Sequence, residues 1–150
     1  MKLAQSLALI ITGSASFVIP FALAQFHITK FDDSIYGQTS ILACSSKTYG
    51  CDCFSSAAKV MVEGEEAKSL PDTAFYIESG LCGSASSYVF FLQSDGRWNF
   101  YVVDGNGVLQ HPSQGTCYPN TATPTTCSGL HAYTKVYDQL VCYSDYICKA

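Results

Sequence analysis

The sequence predicts an α+β fold in which one helix packs on a central antiparallel sheet and disulfide bonds brace the domain. Three observations lead to this prediction. Residues 88–111 have the composition of three successive strands, residues 55–69 have that of a helix, and eight cysteines lie in a chain of only 150 residues.

The predicted centre of the sheet is the stretch 88–111. Residues 88–93 and 97–103 are rich in aromatic and β-branched side chains, and the glycines and asparagine between them tolerate the positive φ of tight reversals. A third strand is expected over 107–111. Alternation along the middle strand places two sets of side chains on opposite faces: Trp98, Phe100 and Val102 toward the helix, and Arg97, Asn99 and Tyr101 on a polar face. The polar face is therefore the expected position of a site.

The first 24 residues have the pattern of a secretory signal peptide. Lys2 precedes an apolar stretch, and small residues occupy 22 and 24, the two positions that a signal peptidase reads. The apolar runs are shorter than the roughly 20 residues that span a bilayer, so we expect no membrane anchor. The sequence therefore predicts a secreted, extracellular protein whose single mature domain covers 25–150.

The charge of the mature chain limits its partners. Removal of Lys2 leaves 7 Lys and Arg against 12 Asp and Glu, a net charge of −5 with neutral histidines. This balance disfavours general nucleic-acid coating and binding to an anionic membrane surface, because both require basic patches. The chain has no Asn-x-Ser or Asn-x-Thr acceptor, so N-glycosylation is not expected.

All the cysteines lie in the predicted mature part, and an even count in a short secreted chain predicts a disulfide framework. The spacing leaves the pairing open. A metal site through Cys51-Asp-Cys53 is the alternative, but it lacks a second Cys or His pair, and an oxidising compartment removes free thiolates. We expect no metal and no cofactor. The cysteines are Cys44, Cys51, Cys53, Cys82, Cys117, Cys127, Cys142 and Cys148.

The predicted helix begins after Ser55 or Ser56 and ends near Ser69, before Pro71. Gly64 inside it costs about 1 kcal/mol relative to alanine. The other expected elements are one or two strands over 25–44, a strand over 74–78, a disulfide-pinned loop over 112–129, and one or two closing strands over 131–148.

The sequence contains no Gly-x-Ser-x-Gly elbow, no His-Glu-x-x-His motif and no glycine-rich phosphate loop, the motifs that mark common hydrolases. One constellation remains, because Glu78, Arg97 and His111 fall on three successive predicted strands. Such a set could cleave RNA, with a carboxylate base, an imidazole acid and a guanidinium that stabilises the phosphorane.

Four segments carry a resemblance over residues 51–117: Cys53-Phe54-Ser55-Ser56, Tyr76-Ile77-Glu78, Arg97-Trp98-Asn99-Phe100 and Gly107-Val108-Leu109-Gln110-His111. With these segments the chain resembles the small secreted guanyl-preferring ribonucleases of fungi. The resemblance implies Glu78 as base, Arg97 as stabiliser, His111 as acid, and Tyr76, Asn99 and Tyr101 as residues that bind single-stranded RNA. The chain departs from the family in lacking a second histidine before Glu78 and in having extra cysteines and a long tail.

A non-enzymatic function is the leading interpretation. The composition is similar to that of secreted cysteine-rich effectors and toxins that fungi release at hosts or competitors, some of which are degenerate ribonuclease folds. Such a protein would act by binding a host or competitor protein. A further alternative comes from Gln93-Ser94-Asp95-Gly96 with Tyr101, which resembles one sugar-binding repeat of the bulb-type lectins.

Overall fold

Ten strands make up almost all the regular structure of this protein. The computed structural model describes residues 25–48, 50–55, 57–128 and 133–148, so the predicted signal peptide lies outside the described residues. The strands are β1 (Phe26–Asp33), β2 (Gln38–Ser45), β3 (Ala58–Val62), β4 (Glu65–Glu66), β5 (Ala74–Ile77), β6 (Ser87–Leu92), β7 (Trp98–Val103), β8 (Gly115–Pro119), β9 (Thr125–Cys127) and β10 (Thr134–Ser144). Two short 3-10 turns, Cys51–Ser55 and Leu81–Gly83, are the helical segments of the described chain.

Eight of these strands close into an antiparallel barrel. Their order is β1-β2-β3-β5-β6-β7-β8-β10, and β10 pairs again with β1 to complete the ring. The two small strands lie outside the ring, because β4 pairs with β3 and β9 pairs with β10. The predicted α+β class is therefore wrong. No helix of the described residues is long and apolar enough to cross a membrane.

Aromatic rings fill the barrel. Phe75 and Phe90 stack with ring centroids 4.5 Å apart, and Phe90 and Phe100 lie 5.0 Å apart. Phe26 packs its edge on Phe100 at 5.4 Å. An eight-stranded barrel is just wide enough for side chains to fill its interior, and each such ring contributes up to about 3 kcal/mol on burial. The interior is thus a core.

All eight cysteines are paired, which confirms the predicted disulfide framework and leaves no thiolate for a metal. Cys117–Cys142 joins neighbouring strands inside the barrel. Cys82–Cys148 ties the Leu81–Gly83 turn to the C-terminal segment, where Leu81 and Ile147 close one end of the core. The other two bridges hold the segment around 51–53 against the outside of the barrel: Cys44–Cys53 and Cys51–Cys127.

The helix predicted from Ser55 to Ser69 is a β-hairpin. Glu63 and Gly64 both have positive φ, 51° and 87°, and form a two-residue reversal between β3 and β4. Lys59 on β3 makes an ion pair with Glu66 on β4 across this hairpin. The glycine that would weaken a helix is what the tight turn requires, and β-branched Val60 fits a strand.

The face assignment of the middle strand is confirmed. Trp98 and Phe100 are buried, Val102 packs against the core, and Arg97 is exposed. Trp98, Phe100 and Val102 face the interior of the barrel, whereas the prediction had them face a helix. The two strands expected in the first segment are β1 and β2, and β5, β6 and β10 also lie in predicted strand regions.

Two predictions C-terminal to the middle strand are wrong. Residues 107–111 contribute a single bridge, Val103 to Leu109, because the backbone N–H of Gly107 donates to Asp104 and closes a turn there. The predicted loop 112–129 contains β8, which completes the barrel wall, and β9. Cys117 on β8 faces the core. The strand was not predicted because the stretch is rich in Thr, Pro and Gly, which are typical of loops.

Candidate functional site

The outward positions of five neighbouring strands carry an unusual number of rings. We define the aromatic face as the outer surface of β5, β6, β7, β8 and the part of β10 that pairs with β8, residues 140–144, together with residues 104–114 that follow β7. Its aromatic side chains are partly or fully exposed, whereas most inward positions of the same strands are buried. The rings of the aromatic face are Tyr76, Phe91, Tyr101, His111, Tyr118 and Tyr143.

One row of the aromatic face crosses four strands. Phe91, Asn99, Thr116 and Tyr143 lie in direct register on β6, β7, β8 and β10. The Thr116 hydroxyl donates to the Asn99 side-chain oxygen at 3.1 Å, and no described residue accepts from the Asn99 amide group. Three strand spacings separate the two rings by roughly 14 Å. The row therefore presents two aromatic surfaces with an uncharged hydrogen-bond donor between them.

The rings of the aromatic face contact one another edge to face. Phe91 and Tyr101 have centroids 6.0 Å apart, Tyr101 and His111 5.3 Å, and Tyr118 and Tyr143 5.7 Å. Such pairs contribute about 0.5–1.5 kcal/mol beyond the area they bury. The contacts hold the rings in place on a rigid sheet.

Two grooves of similar size lie on the aromatic face. One, of about 550 Å³, is mostly apolar and runs between Tyr76, Phe91 and Leu109. The other, of about 540 Å³, is lined by Tyr118 and Tyr143 together with polar groups, among them Ser113, Gln114, Ser144 and Asp145. The aromatic face can therefore accept both apolar and polar parts of a ligand.

Charge on the aromatic face is largely neutralised. The Arg97 guanidinium binds the Asp95 carboxylate, with Nε 2.7 Å from Oδ2. The side-chain hydrogen bond to Arg97 lowers the pKa of Asp95, and the same bond, followed by one to Tyr118, raises the pKa of Arg97. Partial burial, and then the neighbouring Tyr118, raise the pKa of Tyr143 above its ordinary value. Tyr143 is thus neutral at physiological pH.

The structure separates the residues of the predicted catalytic set. Ile77, the last residue of β5, is in register with Tyr88 and Val102. Glu78 is the next residue along the chain, so it lies at the level of Val103, at the end of β7. Arg97 precedes the opposite end of β7, roughly 20 Å away along the strand. A single phosphate is too small to contact both. Catalytic roles for Glu78, Arg97 and His111 remain a prediction from the resemblance.

The residues predicted to bind substrate do share a surface. Tyr76 and Tyr101 lie in one row across Val89, Asn99 is two residues from Tyr101 on the same face, and the ring of His111 packs on Tyr101. The sequence reasoning did not include Phe91, Tyr118 and Tyr143. The alternation of tyrosines in the C-terminal segment is a signal for Tyr143, but nothing in the predicted loop marked Tyr118 as a strand residue.

A second polar cluster is buried beneath the loop that follows β8. The Asp138 carboxylate accepts hydrogen bonds from His27 Nδ1 at 2.9 Å and from the Asn120 amide at 2.6 Å. This cluster joins β1, β8 and β10 and has a structural role. Among the described residues no group of three or more His, Cys, Asp or Glu side chains could hold a metal ion.

Comparison with known proteins finds no family model, no curated protein and no solved structure that matches this chain.

Proposed function

We propose that this chain is a secreted, effector- or toxin-like binding protein, whose aromatic face docks on a host or competitor protein outside the cell that produces it. The observation that carries the proposal is the row from Phe91 to Tyr143, in which two rings with an amide and a hydroxyl between them point outward from four strands, over a barrel that is filled inside. A filled barrel leaves ligand binding to its outer surface.

The composition of the aromatic face supports a protein target. Tyrosine and other aromatic residues are enriched at the centres of protein interfaces, where charged residues are depleted. On this face the guanidinium of Arg97 is already paired with Asp95, and the acidic side chains Glu78 and Asp145 lie at the edges. A partner with an apolar centre and a basic rim would complement it.

The disulfides support an extracellular location. Four bridges in a small domain are compatible with a secreted cysteine-rich protein, since such bonds persist in oxidising environments. They also make the aromatic face rigid before it meets a partner. A preformed surface loses less conformational entropy on binding.

The test compares a variant of the aromatic face with a matched variant elsewhere. Fluorescently labelled, oxidised protein is titrated onto panels of intact fungal, bacterial and plant cells, and bound partners are cross-linked and identified. We expect the double variant Phe91→Ser with Tyr143→Ser to bind at least tenfold more weakly, because a ring at an interface centre contributes about 2 kcal/mol.

The matched control is Ile35→Ser with Tyr36→Ser, which removes two exposed apolar side chains from the turn between β1 and β2. It should bind as the wild type does. Equal loss in both variants, or no loss in the first, would contradict a docking role for the aromatic face.

A carbohydrate target is the second candidate, and the Asn99–Thr116 pair favours it. An amide and a hydroxyl between two rings match the hydroxyl groups and apolar faces of a sugar chain, and the span of roughly 14 Å exceeds a single sugar ring. Titration with neutral oligosaccharides, namely chitohexaose, laminarihexaose and mannohexaose, separates the candidates. Saturable binding that Asn99→Ala abolishes would support the carbohydrate.

A further inference from the structure

The loop and strand that follow β8 display a dense group of threonines. Residues 121–126, Thr-Ala-Thr-Pro-Thr-Thr, are all exposed. Their four threonine hydroxyls make no hydrogen bond with the described residues. Several other threonines differ: Thr29 and Thr134 are buried, and the hydroxyls of Thr39 and Thr116 are bonded to side chains.

The ends of this segment are anchored, so the threonines are held out from the barrel. At the start, the backbone N–H of Asn120 donates to Gln139 at 2.9 Å, and its amide donates to Asp138. At the end, Cys127 is bridged to Cys51. Pro124 fixes its own φ and biases Thr123 toward extended backbone. An enzyme can reach an acceptor hydroxyl in such a segment without unfolding the barrel.

A second observation is the chemistry of the two strands outside the ring. Within the described residues, β4 and β9 each pair with one neighbour, so each presents a free edge. Native proteins protect free edges with charge or with a covering group, because an exposed edge pairs with other chains. The strand β4 consists of two charged residues, Glu65–Glu66. The strand β9, by contrast, lies in a stretch without Asp, Glu, Lys or Arg, which covers residues 105–134. The edge at β9 is protected by no charge of its own.

We propose that Thr121, Thr123, Thr125 and Thr126 form an O-glycosylation site and that the glycans cover the free edge of β9. Exposed Ser and Thr with Pro are the composition of O-glycosylated segments in secreted proteins. The inference rests on secretion, since the producing cell's secretory pathway supplies the transferase and an activated glycosyl phosphate donor. The threonine Oγ1 bonds to the anomeric carbon of the sugar, the bond from that carbon to the phosphate oxygen breaks, and the hydroxyl proton passes to a base of the transferase.

The test is mass spectrometry of the oxidised protein collected from the medium of the producing cells. We expect a mass above that of the polypeptide by whole sugar residues, removal of this excess by alkaline β-elimination, and fragment ions that place it within 121–126. The variant with all four threonines changed to alanine should lose the excess, and the control Thr73→Ala, at an exposed threonine elsewhere, should keep it.

A second measurement reads the role of the edge. The four-alanine variant should self-associate at concentrations at which the wild type is monomeric. A second variant, with Thr121→Ala, Thr123→Ala, Thr125→Glu and Thr126→Lys, also lacks the glycans but places charge on β9, so it should remain monomeric. Secreted protein at the bare polypeptide mass, or with sugar only elsewhere, would overturn the site and leave the proposed binding function intact. Absence of the chain from the medium would overturn secretion and this inference together.

Discussion

The carboxylate of Asp138 and the ring of His27 pair across the closure of the barrel, with Nδ1 2.9 Å from Oδ2. The Asp138 side chain is only 3% exposed, and the amide of Asn120 donates to the same oxygen. Because β1 and β10 are the strands that complete the ring, this pair fastens the barrel at its seam. A buried carboxylate with two donors is costly to remove, since both donors then lose their acceptor.

We therefore expect Asp138→Ala to lower the free energy of unfolding by about 2–4 kcal/mol, because it removes a buried acceptor shared by two partly buried donors. Chemical denaturation of the oxidised protein measures the change. Asp72→Ala, at an exposed carboxylate, is the control and should stay within about 0.5 kcal/mol of the wild type. Equal midpoints for the two variants would contradict a stabilising role for the seam.

Gly115 allows β8 to pass close to its neighbours. A Cβ atom at this position would lie 2.0 Å from the Tyr143 carbonyl oxygen and 2.7 Å from Cζ of Phe100. We expect Gly115→Ala to destabilise the protein by about 1–3 kcal/mol or more, because the backbone of β10 must shift. In Gly105→Ala the new methyl group meets open space, so thermal unfolding should be nearly unchanged. A tolerated Gly115→Ala would show that the two strands are further apart.

Two substitutions in the turn between β3 and β4 distinguish a hairpin from the helix that the sequence suggests. At Gly64, φ is +87°, so Gly64→Ala should destabilise by about 1 kcal/mol, whereas in a helix interior it would stabilise by a similar amount. Glu63→Asn should stabilise the hairpin, because Asn-Gly suits a reversal with two positive φ angles. Thermal unfolding measures both signs, and opposite signs would support the helix.

The bridge Cys82–Cys148 holds one end of the barrel closed. We expect Cys82→Ser with Cys148→Ser to cost about 2–4 kcal/mol of stability, because the unfolded chain gains freedom and the cover over the core loosens. Hydrogen exchange should show the greatest loss of protection at Leu81 and Ile147. The neighbouring exposed variant Ser79→Ala should leave exchange unchanged. Uniform loss over the whole barrel would indicate global destabilisation instead.

Local pattern predicted some of these features and missed others for physical reasons. The alternation at Trp98, Phe100 and Val102 was sufficient to predict the middle strand and its buried face, because the two faces of a strand differ in burial. The stretch from Ala57 to Val62 reads equally well as helix or strand, and only pairing with β2 and β5 decides it. Barrel closure depends on His27 meeting Val141, a contact between distant residues that no local pattern contains.

The site was predictable to a similar extent. Tyr76, Asn99 and Tyr101 were placed on one face because they follow the alternation of recognisable strands. Tyr118 was missed because its strand is rich in turn-forming residues, and its register with Val141 comes from the tertiary fold. Glu78 and Arg97 were grouped by their order along the chain, whereas the register places them at opposite ends of the sheet.

The pairing of β1 with β10 also constrains the timing of folding in the cell. The strand β1, near the start of the predicted mature chain, pairs with β10 near its end, and Phe26 lies opposite Cys142. The first strand therefore has no partner on this side until β10 is present. Because the ring needs contacts between residues so far apart, it can close only after β10 has been synthesised. Until then the rings of Phe75, Phe90 and Phe100 lack their cover. The partly made chain therefore exposes apolar rings and unpaired strand edges, and it is most prone to aggregation before β10 is added.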